Sequence, residues 1–148
     1  MSVVHVKIKI DAPPERVWET VMDPNKLKEW VTIHRSVGHV PRLPLKEGAS
    51  FDQGLQMRGF RFQVHWKLVE VKEPSYATWE GRGPAHSSAQ ISYRLESAGD
   101  NATEFDYTNE FSPPGGRIGN IASRMIVGAA SEREAHNSLT RLKALLER

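Results

Sequence analysis

Cysteine is missing altogether from this 148-residue chain, which excludes a disulfide framework, thiolate catalysis and any zinc site built on Cys. Also missing is an apolar run near the roughly 20 residues that a membrane-spanning helix needs. Neither sign of charge dominates: 20 Lys and Arg stand against 18 Asp and Glu, for a formal net charge of +2. So thin a margin asks for no nucleic-acid partner, although the sequence pI is about 9.0, and no basic run interleaved with aromatics occurs. Gly-rich phosphate loops, the Gly-x-Ser-x-Gly nucleophile turn and the His-Glu-x-x-His zinc signature are absent too, as are internal repeats, low-complexity tracts and linkers. What is left is a chain of ordinary composition, long enough for a single domain over residues 1–148 with a real core. Its opening, "MSVVHVKIKI", alternates instead of forming a signal peptide's continuous apolar block. The expectation is a soluble, cytoplasmic protein with no stable membrane insertion.

Alternation over that opening puts Val4, Val6, Ile8 and Ile10 on one face of a half-buried strand, with His5, Lys7 and Lys9 on the other. "DAPPERVWETVM" then reads as a helix: Pro13 and Pro14 suit a first turn, where a missing N–H costs nothing, and Val17/Val21 and Trp18/Met22 are i,i+4 pairs. "DPNKLKEW" reads as a second short helix, capped by Asp23 with Pro24 at its first position. From residue 31 to 111 the period is two. "SFDQGLQM" lines up Phe51, Gln53, Leu55 and Met57, and "FRFQVHWKL" lines up Phe60, Phe62, Val64, Trp66 and Leu68, with Gly59 marking a turn between them. "YATWEGRG", "AQISYRLE" and "TEFDYTNEF" continue the pattern, the last two joined by the turn-rich "SAGDNA". From about Arg117 to Arg148 there is no proline and the period becomes helical, for a length of about 45 Å. The first half of that helix is lined by small or flexible residues such as Met125 and Ala129, the second half by Leu139, Leu142 and Leu146. A strand, two short helices, a meander of six strands and a long last helix is an α+β order, in which an antiparallel sheet needs the helix as its lid.

"IKIDAPPERVWETVMDPNKLKEW", with its paired prolines before a Val-Trp helix, its Asp-Pro and its closing Trp, closely resembles the opening of START-like, or helix-grip, proteins. "SYRLESAGDNATEFDYTNEF" and "LTRLKALLE" resemble the same superfamily, so the likeness covers essentially the whole chain. This superfamily (SRPBCC, of polyketide cyclase/dehydrase and lipid-transport type) includes pollen-allergen-type binders, lipid-transfer domains, aromatic polyketide cyclases and coenzyme Q-binding proteins. The resemblance implies a seven-stranded curved antiparallel sheet around the C-terminal helix, with a cavity between them for lipids, sterols, polyketides, flavonoids or quinones. The residues supply a physical reason: a strongly curved sheet and a straight helix cannot close-pack along their whole length. The loosely lined first half of the helix leaves room near Met125 and Ala129.

Candidate ligand-binding residues follow from the inward faces. They include Phe51, Leu55, Met57, Phe62, Val64 and Trp66 on the first hairpin, and Trp79, Tyr93, Tyr107 and Asn109 further on. Aromatic rings there are either core or ligand platform, and the Asn109 amide on an apolar face must be satisfied by structure or by ligand. Trp30 and His34 share a face if the strand begins at Trp30 and strict alternation holds. His34 is then either an inward donor or acceptor near the pocket mouth, or a histidine bonded to backbone near a strand end. Glu132 and His136 form an i,i+4 pair, about 40° to one side of and nearly in line with Ile118 on the helix. They either line the cavity or sit on its rim. Glu80 and Arg82, opposite Trp79, read as an outer-face ion pair worth little. No cofactor and no metal is expected, although His34, Glu132 and His136 together would make two His and one carboxylate.

Three functions are weighed. The first is a binding module that holds a small hydrophobic or aromatic molecule. The alternative is a polyketide cyclase, aromatase or dehydratase type of enzyme using His34 or the Glu132/His136 pair. The third, a protein-interaction role, predicts a large exposed apolar patch that an alternation this regular does not announce.

Overall fold

The computed structural model describes residues 2–57, 59–112 and 121–148, and the side chains of the last segment from 132 onward. The chain opens with β1 (Ser2–Ile10), whose alternation buries Val4, Val6 and Ile10. Helix α1 (Pro14–Val21) starts at the second proline and buries Val17, Trp18 and Val21. Asp23 accepts a hydrogen bond from the Asn25 N–H at 2.9 Å, capping a single 3-10 turn (Pro24–Lys26) that leads into α2 (Leu27–Trp30). Trp30 therefore ends a helix, with its indole buried, and does not start a strand.

Six strands follow: β2 (His34–Gly38), β3 (Ser50–Met57), β4 (Phe60–Lys72), β5 (Tyr76–Arg82), β6 (Ser88–Ser97) and β7 (Thr103–Ser112), and then α3 (Ile121–Leu146). The seven strands form one antiparallel sheet in the order β1-β7-β6-β5-β4-β3-β2. Consecutive strands pair through hairpins, and β1 closes on β7. The first and second strands thus become opposite edges, and α1 and α2 lie on the chain that joins them. Gly59 adopts a positive φ of 83° at the β3–β4 turn, as the turn signal there required. Extra residues shift the register at Arg35 in β2 and Val69 in β4, a bulge that bends a strand and adds twist.

One face of the sheet carries the core. Phe51, Gln53 and Leu55 of β3 stand beside Val64, Trp66 and Leu68 of β4, and Tyr93 and Leu95 of β6 beside Phe105 and Tyr107 of β7. Helix α3 packs along β1 and against α2, burying Ala135, Ser138, Leu139, Leu142 and Leu146. Leu139 and Leu142 are fully buried and stabilise the docking by about 1.5–3 kcal/mol each. Among the described residues no helix is long and apolar enough to cross a membrane.

Candidate ligand site on the inner face of the sheet

Gln53 is the polar member of an otherwise apolar set on β3, and only 5% of it is exposed. Its surroundings account for it. The Trp66 indole, on the neighbouring strand, donates from Nε1 to Gln53 Oε1 at 2.9 Å. Gln53 Nε2 lies 2.9 Å from His34 Nδ1 on the other side. His34 reaches this place because β2 pairs it with Leu55, an inward position of β3. The extra residue Arg35 then breaks strict alternation, so Val37, opposite Gln53, shares the inward face with His34. Trp66 lies close over Gly81: a Cβ there would be 2.5 Å from indole Cζ3 and 2.8 Å from Val64 Cγ1.

A second group of side chains lies further across the sheet. Tyr93 and Tyr107 are cross-strand partners with ring centroids 6.1 Å apart, and Tyr93 also meets Phe105 at 5.5 Å and Trp30 edge-on at 6.4 Å. Phe51 and Trp79 make a perpendicular pair at 5.5 Å. Burial, reinforced by the Glu134 carboxylate, pushes both phenols far above the ordinary tyrosine range. For Tyr107 the neighbouring Tyr93 adds to this, while a hydrogen bond with Asn109 acts the other way. Both therefore remain protonated, polar but uncharged. Glu134 is held by Thr32, whose Oγ1 donates to its Oε1 at 2.9 Å, and by the Ser138 hydroxyl. The Thr32 N–H donates to Ser138 Oγ at 3.0 Å, which ties the α2–β2 connection to α3. Among the described residues, Trp30 Nε1, Trp79 Nε1 and Asn109 Oδ1 are buried with no hydrogen-bond partner.

The expected site residues divide clearly. Trp30, Phe51, Leu55, Val64, Trp66, Trp79, Tyr93 and Tyr107 are buried, and His34, Met57, Phe62 and Asn109 are half-buried. Phe60, aligned by alternation with Phe62 and Val64, is instead 77% exposed, because it sits at the tip of the β3–β4 hairpin, paired with Met57. Glu132 and His136 are both exposed and do not enter the inner face. At 100° per residue the buried stripe centres between Ala135 and Leu142, and His136 lies roughly 100° from that line. Taking Ile118 as the origin turned the expected stripe by that amount. The correct register buries Ser138 and leaves Glu134 half-buried on the opposite flank of the stripe from His136, two residues that the leucine pattern alone did not mark. With Glu132 and His136 outside, the facial metal set with His34 is not assembled, and among the described residues no group of three such ligands is. The side chains of Met125 and Ala129 lie outside the described residues.

Three other histidines gather on the outer face. His5 meets Asp106 at 2.5 Å, while His39 and His65 bind the two oxygens of Asp52 at 2.8 and 2.7 Å. Glu80 and Arg82 are exposed on that face too, but no ion pair joins them among the described residues.

Acid stability follows from two of these groups. Burial, with the Lys28 cation second, lowers the His34 pKa below its ordinary 6.5. Between the two values the unfolded chain binds more protons than the folded one, so stability falls as pH drops through that window. Hydrogen bonds from His65 and His39 lower Asp52 below its ordinary 3.8, which adds a second loss at more acid pH. The melting temperature should decline from about pH 7 to about pH 5, and His34→Gln should flatten that decline. Parallel curves for the two proteins would contradict the assignment.

The sequence profile of the family described as polyketide cyclase / dehydrase and lipid transport matches residues 1–147. Among solved structures, a START superfamily protein from Mycobacterium smegmatis is similar with a TM-score of 0.78 at 12% identity, covering 99% of this chain and 98% of that one. The Zhui aromatase/cyclase from Streptomyces sp. R1128 is similar with a TM-score of 0.79 at 16% identity, over 99% and 93%. The protein TTHA0849 from Thermus thermophilus reaches 0.80 at 17% identity, over 96% and 94%. Identities this low carry the fold and nothing finer. A curated relative, Toxin Rv0910 of Mycobacterium tuberculosis (strain ATCC 25618 / H37Rv), is 26% identical over 83 residues, 56% of this chain. The match spans 58% of that relative's length. With the strand order, the inward aromatic wall and a profile match running from end to end, the chain belongs to the polyketide cyclase / dehydrase and lipid transport family and has its START-like, helix-grip fold.

Proposed function

We propose that this protein holds a small hydrophobic or aromatic molecule, such as a lipid or polyketide, between the inner face of the sheet and α3. One observation carries the reading: Trp30 Nε1, Trp79 Nε1 and Asn109 Oδ1 are buried among aromatic rings with no partner among the described residues. Buried polar atoms in folded proteins are nearly always hydrogen-bonded. A ligand with a few polar atoms would complete them, and an apolar wall with sparse, fixed polar groups is the usual make-up of a small-molecule site. The family description, with its lipid transport and cyclase members, supports the same class of guest. The reading takes residues 1–148 as one ligand-binding domain in the cytoplasm, with a small molecule and no nucleic acid as partner.

Native mass spectrometry of the purified protein should find a co-purified apolar molecule. A screen of lipids and aromatic polyketides should find stabilisers. A ligand at a hundredfold excess over its Kd stabilises by about 2.7 kcal/mol, which at this chain length is a rise of roughly 5–10 °C. A protein that carries nothing and whose melting temperature no member of either class moves would refute the proposal.

Turnover is the second reading, favoured by the family's cyclase members and by the likeness to an aromatase/cyclase. It rests on His34 alone, because Glu132 and His136 face solvent. Under this reading His34→Ala abolishes turnover and leaves binding in place.

A further inference from the structure

We propose that Trp66, Gln53 and His34 form a directed hydrogen-bond chain that fixes His34 as a neutral imidazole with its proton on Nε2, and that this N–H selects ligands carrying a carbonyl-type oxygen. The selection rests on the ligand-holding reading above; the direction of the chain does not.

The chain starts at a group with no choice. An indole N–H can only donate. Since Trp66 Nε1 lies 2.9 Å from Gln53 Oε1, that oxygen is the acceptor, and turning the amide round would set two N–H groups face to face. The amide nitrogen is thereby directed at His34 Nδ1, 2.9 Å away. An amide nitrogen offers no lone pair, so Nδ1 must accept and carries no proton. A neutral imidazole then has its one proton on Nε2. Protonating Nδ1 would break the bond to the amide, or turn the amide and break the bond to the indole. Gln53 is too buried for water to take over either bond. Trp66 is packed close over the Gly81 backbone, where even a Cβ would lie 2.5 Å from the ring, so the indole has little room to swing toward β5.

The chemistry of His34 is narrowed accordingly. Its Nδ1 lone pair is taken, so it is no base there. It carries no charge, so it offers no ion pair. What it presents is one N–H, polarised by the two bonds behind it, and among the described residues only Gln53 bonds to its ring. A flat apolar molecule with a ketone, quinone or ester oxygen at one end gains a hydrogen bond there. A hydrocarbon of the same outline gains none.

Two measurements on the full-length protein test this separately. Long-range proton–nitrogen NMR of histidine-labelled protein at neutral pH should show His34 as the Nε2–H tautomer. Gln53→Leu should give a mixture, and Gln53→Glu, which offers only acceptors, should put a proton on Nδ1. By calorimetry 9-fluorenone should bind about fivefold tighter than fluorene, the ratio expected of one net hydrogen bond. Gln53→Leu should erase most of that ratio, which is read between the two compounds within each protein so that any general change in affinity cancels. An Nδ1–H tautomer in the unmodified protein overturns the chain. An Nε2–H tautomer with equal affinities, or with a preference that Gln53→Leu leaves intact, overturns the selection. If neither compound binds, the ligand-holding reading has failed and the selection falls with it, whatever the tautomer.

Discussion

Phe105→Ala should lower stability by about 3–5 kcal/mol, the usual range when a buried phenylalanine is cut back to a methyl group. Phe105 is fully buried, its ring 5.5 Å from Tyr93, on a strand that pairs it with Leu95 of β6 and Ile8 of β1. Three strands therefore lose a shared neighbour, and rigid strands close a void less readily than a loop does. At this chain length the loss corresponds to a drop in melting temperature of roughly 10 °C or more. Phe60→Ala is the control: the same atoms are removed from a ring that is 77% exposed, so the change should stay within about 0.5 kcal/mol. Chemical denaturation of both variants checks the pair. Similar losses at the two sites would mean that Phe105 is not the keystone its burial makes it.

Gly81→Ala should cost about 1–3 kcal/mol, an unusual effect for so small an addition. The ideal Cβ would lie 2.5 and 2.7 Å from Trp66 Cζ3 and Cε3 and 2.8 Å from Val64 Cγ1. The contact is with a flat, buried ring and a β-branched side chain, neither of which has a free end that can bend away. Relief requires the indole to move, and with it the hydrogen bond to Gln53. Trp66→Phe removes the larger part of the obstacle, so the two substitutions should not be additive. In a double-mutant cycle, Gly81→Ala should be markedly less damaging on the Trp66→Phe background than alone, by about 1 kcal/mol or more. Additive losses would place the strain elsewhere. A Gly81→Ala protein as stable as the parent would show that the ring yields without cost.

How much could be read in advance depended on which periodicity governed each stretch. In β3, in β4 as far as Leu68 and in β7 side chains alternate without interruption, and the middle of the inward set expected there is buried, from Phe51 and Leu55 through Val64 and Trp66 to Phe105 and Tyr107, with Phe60 exposed at the hairpin tip. Strand order followed too, because hairpins leave an antiparallel meander few other arrangements. Errors came where one residue changes the count. The extra Arg35 turns Val37 to the same side as His34, and no composition rule marks a bulge made of ordinary residues. On α3 an origin chosen in the first half misplaced the second: it set Glu132 and His136 on or beside the apolar stripe, although both are exposed, and it passed over the buried Ser138 and the half-buried Glu134. Gln53 stood in plain view as an amide among apolar alternants, but its role needed the pairing of three strands. A buried amide is a question that only its neighbours answer.

His34 belongs to the outermost strand of its side of the sheet, five residues long and paired only with β3, whereas Gln53 and Trp66 belong to strands paired on both sides. Short end strands fray at a small fraction of the free energy of global unfolding. Each such excursion would lift the imidazole off the amide while leaving the indole–amide link intact. The tip of this polar wire is therefore detachable and its root is not, so hydrogen exchange along β2 would report how often the molecule unplugs it.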